Sequence, residues 1–333
     1  MKHFLVTQAG APLQFVDHPL PEPQPREIQI RILTAGVAFV DVLMRYGVYP
    51  AQRPFPLIPG YDVVGIVEKI GSSVASLHIG QTVAAMTVVG GYAERVNVPA
   101  AEAVLLPESV DPAEAVSLVL NYLTAYQILH RTLQVKAGER VLVHSAAGGI
   151  GTALLQLGKL ADLELFGTAS RGKHDLVTSL GAAPIDYQNE DVVARVHALT
   201  GSGVDIVLDP IGGDHLQESY QALNNQGRLV AFGTLASFKD GKPQNQVLET
   251  YKASIEQFNQ RNDGRKALAY SMNATKTAHP EWVQEDLKTL IGLLTAHKIH
   301  PVIDQCLPLE QAPLAHELLQ SGKVTGKLVL TCN

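Results

Sequence analysis

The sequence predicts an α/β protein in two parts, a β-rich barrel or sandwich followed by a doubly wound parallel sheet. Three observations carry this expectation. At 333 residues, the chain exceeds what one hydrophobic core usually holds. With 46% hydrophobic and 17% charged residues, it can bury two. Its first third breaks short Val- and Ile-rich runs with Gly and Pro, whereas strand-like and helix-like segments alternate from Glu139 onward.

In the first third, REIQIRIL (26–33), DVVGIVEKIG (62–71), QTVAAMTVV (81–89) and AERVNVP (93–99) read as short strands. At Asp111 the texture changes. Asp111 is placed to cap a helix whose first residue is Pro112 and whose apolar residues recur at helical spacing. Then come VLVHS as a strand, GIGTALLQLGKLA as a helix, ELFGTAS as a strand, and GKHDLVTSLG as a helix ended by Gly181. PIDY follows, then a helix at 190–201, the strand VDIVLDP, a helix over 214–227 and the strand GRLVAFG. Strands spaced by helices of about ten residues are βαβ units, which bury a parallel sheet between two helical layers. The segment 235–265 interrupts the alternation with a polar loop and a helix, and KALAYSM could add one more strand. Two amphipathic helices and a final strand, which could return to the first domain, close the chain.

Composition excludes several function classes. Net charge is -6 with Lys and Arg scattered, so no basic stripe exists to displace counterions from nucleic acid. No run of about 18 apolar residues supports a membrane span, and MKHFLVTQAG lacks a signal-peptide core. Two Cys in the chain cannot build a disulfide framework, and a cytoplasmic location is expected.

The most informative stretch joins the first strand of the alternating half to its first helix: Ala146, Ala147, Gly148, Gly149, Ile150 and Gly151. This is a G-x-G-x-x-G pattern with Ala first. Small residues let backbone N–H groups and a helix N-terminus approach a pyrophosphate. An ordinary tight turn has the same composition, but the strand before and the helix after favour a dinucleotide. An NAD site places Asp or Glu about 20 residues on, at the end of the next strand. Here that strand ends in Thr168, Ser170, Arg171 and Lys173. Hydroxyls and cations suit a 2′-phosphate, so NADPH is expected. The competing view is of solvated charges at a helix start, where cations oppose the dipole unless a phosphate lies between them.

Together AGVAFVDVLMRYGVYP, PGYDVVGIVEKIG, NYLTAY, VLVHSAAGGIG, FGTASRGKH, IDY, VDIVLDPIGG and HELLQSGKVTGKLVL resemble the medium-chain dehydrogenase/reductase superfamily. They are most similar to its zinc-free quinone oxidoreductase branch. The resemblance implies a Rossmann sheet at 118–275 inserted into a GroES-like β-barrel domain made of 1–117 and 276–333, with nicotinamide and substrate in a cleft between them. It also implies a homodimer. In zinc-dependent relatives a Cys stands at the place of Ala38 and a His-Glu pair at Tyr61-Asp62, so two zinc ligands are missing. His3, His18, His78 and the other histidines show no metal-site spacing, and no metal is expected. Many quinone oxidoreductases carry Asn at the place of Ala38, which puts cofactor placement in question here. Asp41 and Arg45 follow the family pattern, either as an ion pair or as site residues.

Carried over residue by residue, the resemblance places Thr124 at the nicotinamide or its ribose and Asn121 beside it. A Thr bonded to its own helix is the alternative. Tyr187 joins Ser170 and Lys173 around the adenosine phosphate; Phe232, Gly233 and Thr234 flank the nicotinamide; Lys323 is a further candidate from the tail. Without a Lewis acid, the easy reaction is hydride delivery to a quinone or an α,β-unsaturated carbonyl. Tyr49 and Tyr61 could bond the developing oxyanion or pass it a proton, or merely line a packed wall. An enoyl-thioester reductase and a nucleotide-binding regulatory protein with little turnover are the alternatives.

Overall fold

Strands that are apolar along their whole length need cover on both faces, which a parallel sheet between helices provides. In the computed structural model, which describes residues 1–239 and 241–332, the parallel strands are β1 (Arg140–Val143), β2 (Glu164–Ala169), β3 (Ala182–Asp186), β4 (Val204–Asp209), β5 (Leu223–Ala231) and β6 (Lys266–Ala269). They pair in parallel in the order β3-β2-β1-β4-β5-β6. The chain runs outward from β1 through β3, then returns to place β4 on the other side of β1. The order therefore reverses between β1 and β4, where Val141–Val143 lie against Ile206–Leu208. Such a reversal opens a crevice at the C-terminal strand ends, the usual ligand site of this fold. Between the strands run α1 (Gly149–Leu160), α2 (His174–Ser179), α3 (Val192–Thr200) and α4 (His215–Gln221). Leu142, Phe166, Val207, Leu216, Tyr220 and Leu229 meet in one buried cluster.

One boundary departs from the sequence reading. The helix expected over 214–227 stops at Gln221, and β5 begins at Leu223. Leu223 pairs with Val204, and Asn224 donates through Nδ2 to Asp205 Oδ1 at 2.6 Å. The pairing of Leu223 with Val204 and the poor helix propensity of Asn224, Asn225 and Gly227 both end the helix early.

The chain divides into two compact units, Met1–Leu123 with His279–Asn333, and Thr124–Ala278. In the first unit a mostly antiparallel seven-stranded sheet runs in the order 303–308, 327–331, 27–37, 62–70, 82–86, 103–105, with 95–99 also paired to 27–37. Its core is Ile28, Ile30, Ile32, Val63, Val83, Leu328 and Leu330. The last strand does return: Leu328 to Thr331 pair antiparallel with Val37 to Thr34. The helix from Pro112 is capped by Asp111, whose Oδ1 accepts from Ala113 N at 2.9 Å and Glu114 N at 3.1 Å. It widens into π-type turns at Leu118–Tyr122 and Gln127–Thr132, a distortion common at functional sites.

Candidate functional site

The crevice is floored by the turn between β1 and α1. Ser145 adopts a left-handed conformation, φ 53°, which an L side chain rarely takes. Three bonds hold it there: Ser145 N donates to Thr168 Oγ1 at 3.3 Å, Ala146 N to Thr168 O at 3.0 Å, and Gly148 N to Ser145 O at 2.9 Å. Gly148 then caps α1. A Cβ on Gly151 would come within 2.7 Å of the Ala146 backbone, so only glycine lets the helix sit on its own turn. The first-turn N–H groups of α1, from Gly149 to Gly151, have no carbonyl within the helix to bond. Ala146, Ala147, Gly148, Gly149, Ile150 and Gly151 thus form one backbone cradle at the order reversal.

The residues that follow β2 diverge in environment. Thr168 is buried, and its hydroxyl is engaged beneath the turn by Ser145 N and by His144 Nδ1 at 3.2 Å. Ser170, Arg171 and Lys173 lie beyond the strand end, where Lys173 N donates to Ser170 O at 2.9 Å. Arg171 is exposed. Tyr187, 54% exposed, follows Asp186, which pairs with Ala169. Ser170 and Tyr187 therefore leave the tips of neighbouring parallel strands.

Thr124 is buried, and its Oγ1 has no hydrogen-bond partner in the protein. It is not bonded to its own helix, which removes that alternative. A buried hydroxyl without a partner costs about 1–3 kcal/mol, so a ligand that bonds it is rewarded. Phe232, Gly233 and Thr234 follow β5, tied to β4 by Phe232 N donating to Asp209 O at 2.9 Å. Asn121, buried on the same helical stretch as Thr124, and the exposed Lys323 both belong to the first unit.

A second polar centre is buried in the first unit. Tyr49 and Tyr61 share a hydrogen bond, and burial pushes the Tyr49 phenol up. The Tyr61 backbone carbonyl accepts from Thr87 N at 2.9 Å and from Val88 N at 3.1 Å, which fixes its backbone. Asp41 accepts from Ala38 N at 2.9 Å, Gly60 N at 3.1 Å and Tyr92 Oη at 3.2 Å. Burial raises its carboxyl to about 7. Tyr92 spends its proton on Asp41, so His316 Nε2–H donates to Tyr92 Oη at 3.2 Å. Burial lowers His316 to about 3 and keeps it neutral. Lys327 Nζ donates to Asp62 Oδ2 at 2.9 Å, with side-chain exposures of 2% and 0%. Burial raises the Asp62 carboxyl, and Lys327 opposes it. Arg45 instead donates to Ala11 O at 2.8 Å and lies over Tyr46. The Asp41–Arg45 ion pair is therefore not formed. A zinc ion does not fit this centre: Ala38 offers no donor, Tyr61 bonds Tyr49, and Asp62 is neutralised by Lys327.

One grouping escaped the sequence reading. Among the described residues, His144, Asp209 and His215 bring ligand atoms within 4.8 Å of one another. No spacing along the chain signals this grouping, because β1 and β4 are adjacent in space while His144, which follows the first, and Asp209, which ends the second, lie far apart in sequence. Asp209 Oδ1 accepts from Ile211 N at 2.6 Å and Gly212 N at 3.0 Å; Oδ2 bonds His215 Nδ1 at 2.8 Å and Ser219 Oγ at 2.6 Å. Burial of Asp209 opposes ionisation, yet these donors hold its carboxyl well below the usual range. Burial lowers His144 to about 3, and its Nε2 has no partner.

Residues 24–108 match the family described as "Alcohol dehydrogenase GroES-like domain" and 180–330 that described as "Zinc-binding dehydrogenase". The chain is 33% identical over 316 residues to the synaptic vesicle membrane protein VAT-1 homolog of Mus musculus, covering 93% of this chain and 77% of that protein. It is 30% identical over 329 residues to a probable quinone oxidoreductase of Schizosaccharomyces pombe, covering 98% and 95%. The crystal structure of Escherichia coli quinone oxidoreductase complexed with NADPH superposes with a TM-score of 0.88 at 29% identity, over 99% of this chain and 100% of that one.

Proposed function

The chain belongs to the medium-chain dehydrogenase/reductase superfamily, in its quinone oxidoreductase branch, and from that premise we propose that it is an NADPH-dependent reductase of quinones or α,β-unsaturated carbonyls that needs no metal. The observation that carries this reading is the closed Ser145–Gly151 turn at the order reversal of the parallel sheet, with a partnerless buried Thr124 hydroxyl in the same unit.

In this reading the N–H groups at the start of α1 hold the pyrophosphate. Ser170, Arg171 and Lys173 hold the 2′-phosphate by hydrogen bonding and charge, and Tyr187 covers the adenine face. Thr124, Phe232, Gly233 and Thr234 position the nicotinamide end. Bound there, NADPH would supply a hydride to an electron-poor acceptor. Tyr49, which Tyr61 hydrogen-bonds, donates to the acceptor oxygen as it gains charge, and burial keeps Tyr49 protonated for that task. A homodimer belongs to the same proposal, with light scattering as its test.

Binding of NADPH and NADH is measured first, followed by NADPH oxidation with a panel of quinones and enones, with and without chelator. Preferential NADPH binding and chelator-insensitive, acceptor-dependent oxidation are expected. Equal NADH binding would sink the phosphate assignment, and chelator-sensitive turnover the metal-free mechanism. Saturable NADPH binding without turnover would favour a nucleotide-binding regulatory protein.

A further inference from the structure

We propose that His144, Asp209 and His215 form a binding site for a divalent transition-metal ion at the order reversal of the parallel sheet. The site lies in the opposite unit from Ala38 and Tyr61 and is independent of the nicotinamide reading.

The donor set selects the ion class. Two imidazoles and one carboxylate suit zinc, cobalt or nickel, whereas magnesium and calcium take oxygen ligands. His144 is 1% exposed, and its Nδ1 faces Thr168 Oγ1 at 3.2 Å. With Nδ1–H donating to that hydroxyl, the lone pair falls on Nε2, the atom that has no partner. A hydrogen bond from the far ring nitrogen is what orients a metal-bound His. Asp209 is oriented in the same manner: two backbone N–H groups hold Oδ1, and the Ser219 hydroxyl steadies Oδ2. The two rings stand edge-on, with centroids 4.4 Å apart.

The remaining requirement is closure. Bonds of about 2.1 Å in a tetrahedral site put ligand atoms about 3.4 Å apart, so the ligand atoms, now within 4.8 Å of one another with His215 Nδ1 at 2.8 Å from Asp209 Oδ2, must readjust around an ion. His215 can supply the movement, because its side chain is 22% exposed, whereas the Asp209 side chain is 0% exposed. As the one ligand that is partly accessible, His215 also provides the entry path. A bound ion would add a tie from the end of β1 to α4, whose His215 and Ser219 are now bonded to Asp209 of β4.

The test uses the untagged full-length chain, stripped with chelator and free of NADPH. Cobalt(II) is titrated and followed by its visible absorption. One ion per chain is expected, with binding at least tenfold weaker in His215→Ala and in His144→Gln and unchanged in the exposed control His78→Ala. Absence of saturable binding below millimolar cobalt, or undiminished binding in a folded His215→Ala protein, overturns the proposal. Because cofactor is left out, a negative result here says nothing against NADPH, and failure of NADPH binding leaves this result standing.

Discussion

Lys327→Met removes the ammonium from the buried pair with Asp62 while keeping the apolar stem, and its cost should depend on pH. Both side chains are nearly inaccessible, and the 2.9 Å bond joins the last strand to the strand 62–70. Breaking a buried pair typically costs about 3–5 kcal/mol because the stranded charge cannot reach water. Protonation sets a ceiling on that loss. An unfolded Asp titrates near 3.9, and each pH unit is worth about 1.4 kcal/mol, so taking up a proton at pH 7 costs at most about 4 kcal/mol. At pH 5 the ceiling is about 1.5 kcal/mol, and near pH 4 it vanishes. The sign is fixed by linkage: the variant's Asp62 would bind its proton more tightly folded than unfolded, so stability present at low pH is lost as pH rises. The chain has one Trp, Trp282, in the same unit as the pair, so urea unfolding followed by its fluorescence at pH 7, 6 and 5 reports the difference directly. A penalty that stays constant between pH 7 and pH 5 would refute the reasoning. Asp62→Asn in the same background should recover much of the loss.

Gly36→Ala should strain the same pair, because a Cβ there would sit 2.5 Å from Lys327 Cε and 2.6 Å from Nζ; the Trp282 unfolding midpoint should fall. His144 and His316 are neutral at about 3 in the fold and titrate near 6.5 when unfolded. Their contribution is therefore present above pH 6.5 and lost as pH falls toward 3, about 1.4 kcal/mol per unit each, partly offset by Asp41, which acts in the opposite sense up to about 7. His316→Gln should flatten the pH profile of Trp282 unfolding between pH 6.5 and 4 by about one such slope. Thr124→Val removes a hydroxyl that has no protein partner, so thermal stability without ligand should hold or rise while NADPH affinity falls about tenfold, as titration calorimetry would show. Arg171→Ala with Lys173→Ala should weaken NADPH at least tenfold and leave NADH within twofold; equal losses for both nucleotides would remove these cations from the phosphate role.

Local signals in the sequence carried the doubly wound half. The strand, small-residue turn and helix from Val141 to Leu157 are consecutive, and their period changes where the structure changes. Asp111 and Pro112 announced their helix because capping acts over three or four residues. The helix expected over 214–227 ends at Gln221 because pairing of Leu223 with β4 is a tertiary event, and because Asn and Gly disfavour helix. Ala38 and Tyr61, by residue type alone, raised the expectation that no zinc is held there. Residue type did not reveal that Asp41 and Arg45 would turn to different partners.

What the sequence determined by itself is the order of elements and the identity of the backbone cradle, because helix caps, glycine turns and periodicity are encoded over a few residues. What only the tertiary structure decided is which distant side chains meet. Asp62 and Lys327 are 265 residues apart, yet they form one buried pair because the last strand returns to the first sheet. His144 and Asp209 share a crevice because β4 crosses back beside β1. Strand pairing sets these neighbours through backbone bonds that any residue can make, so no spacing along the chain could announce them.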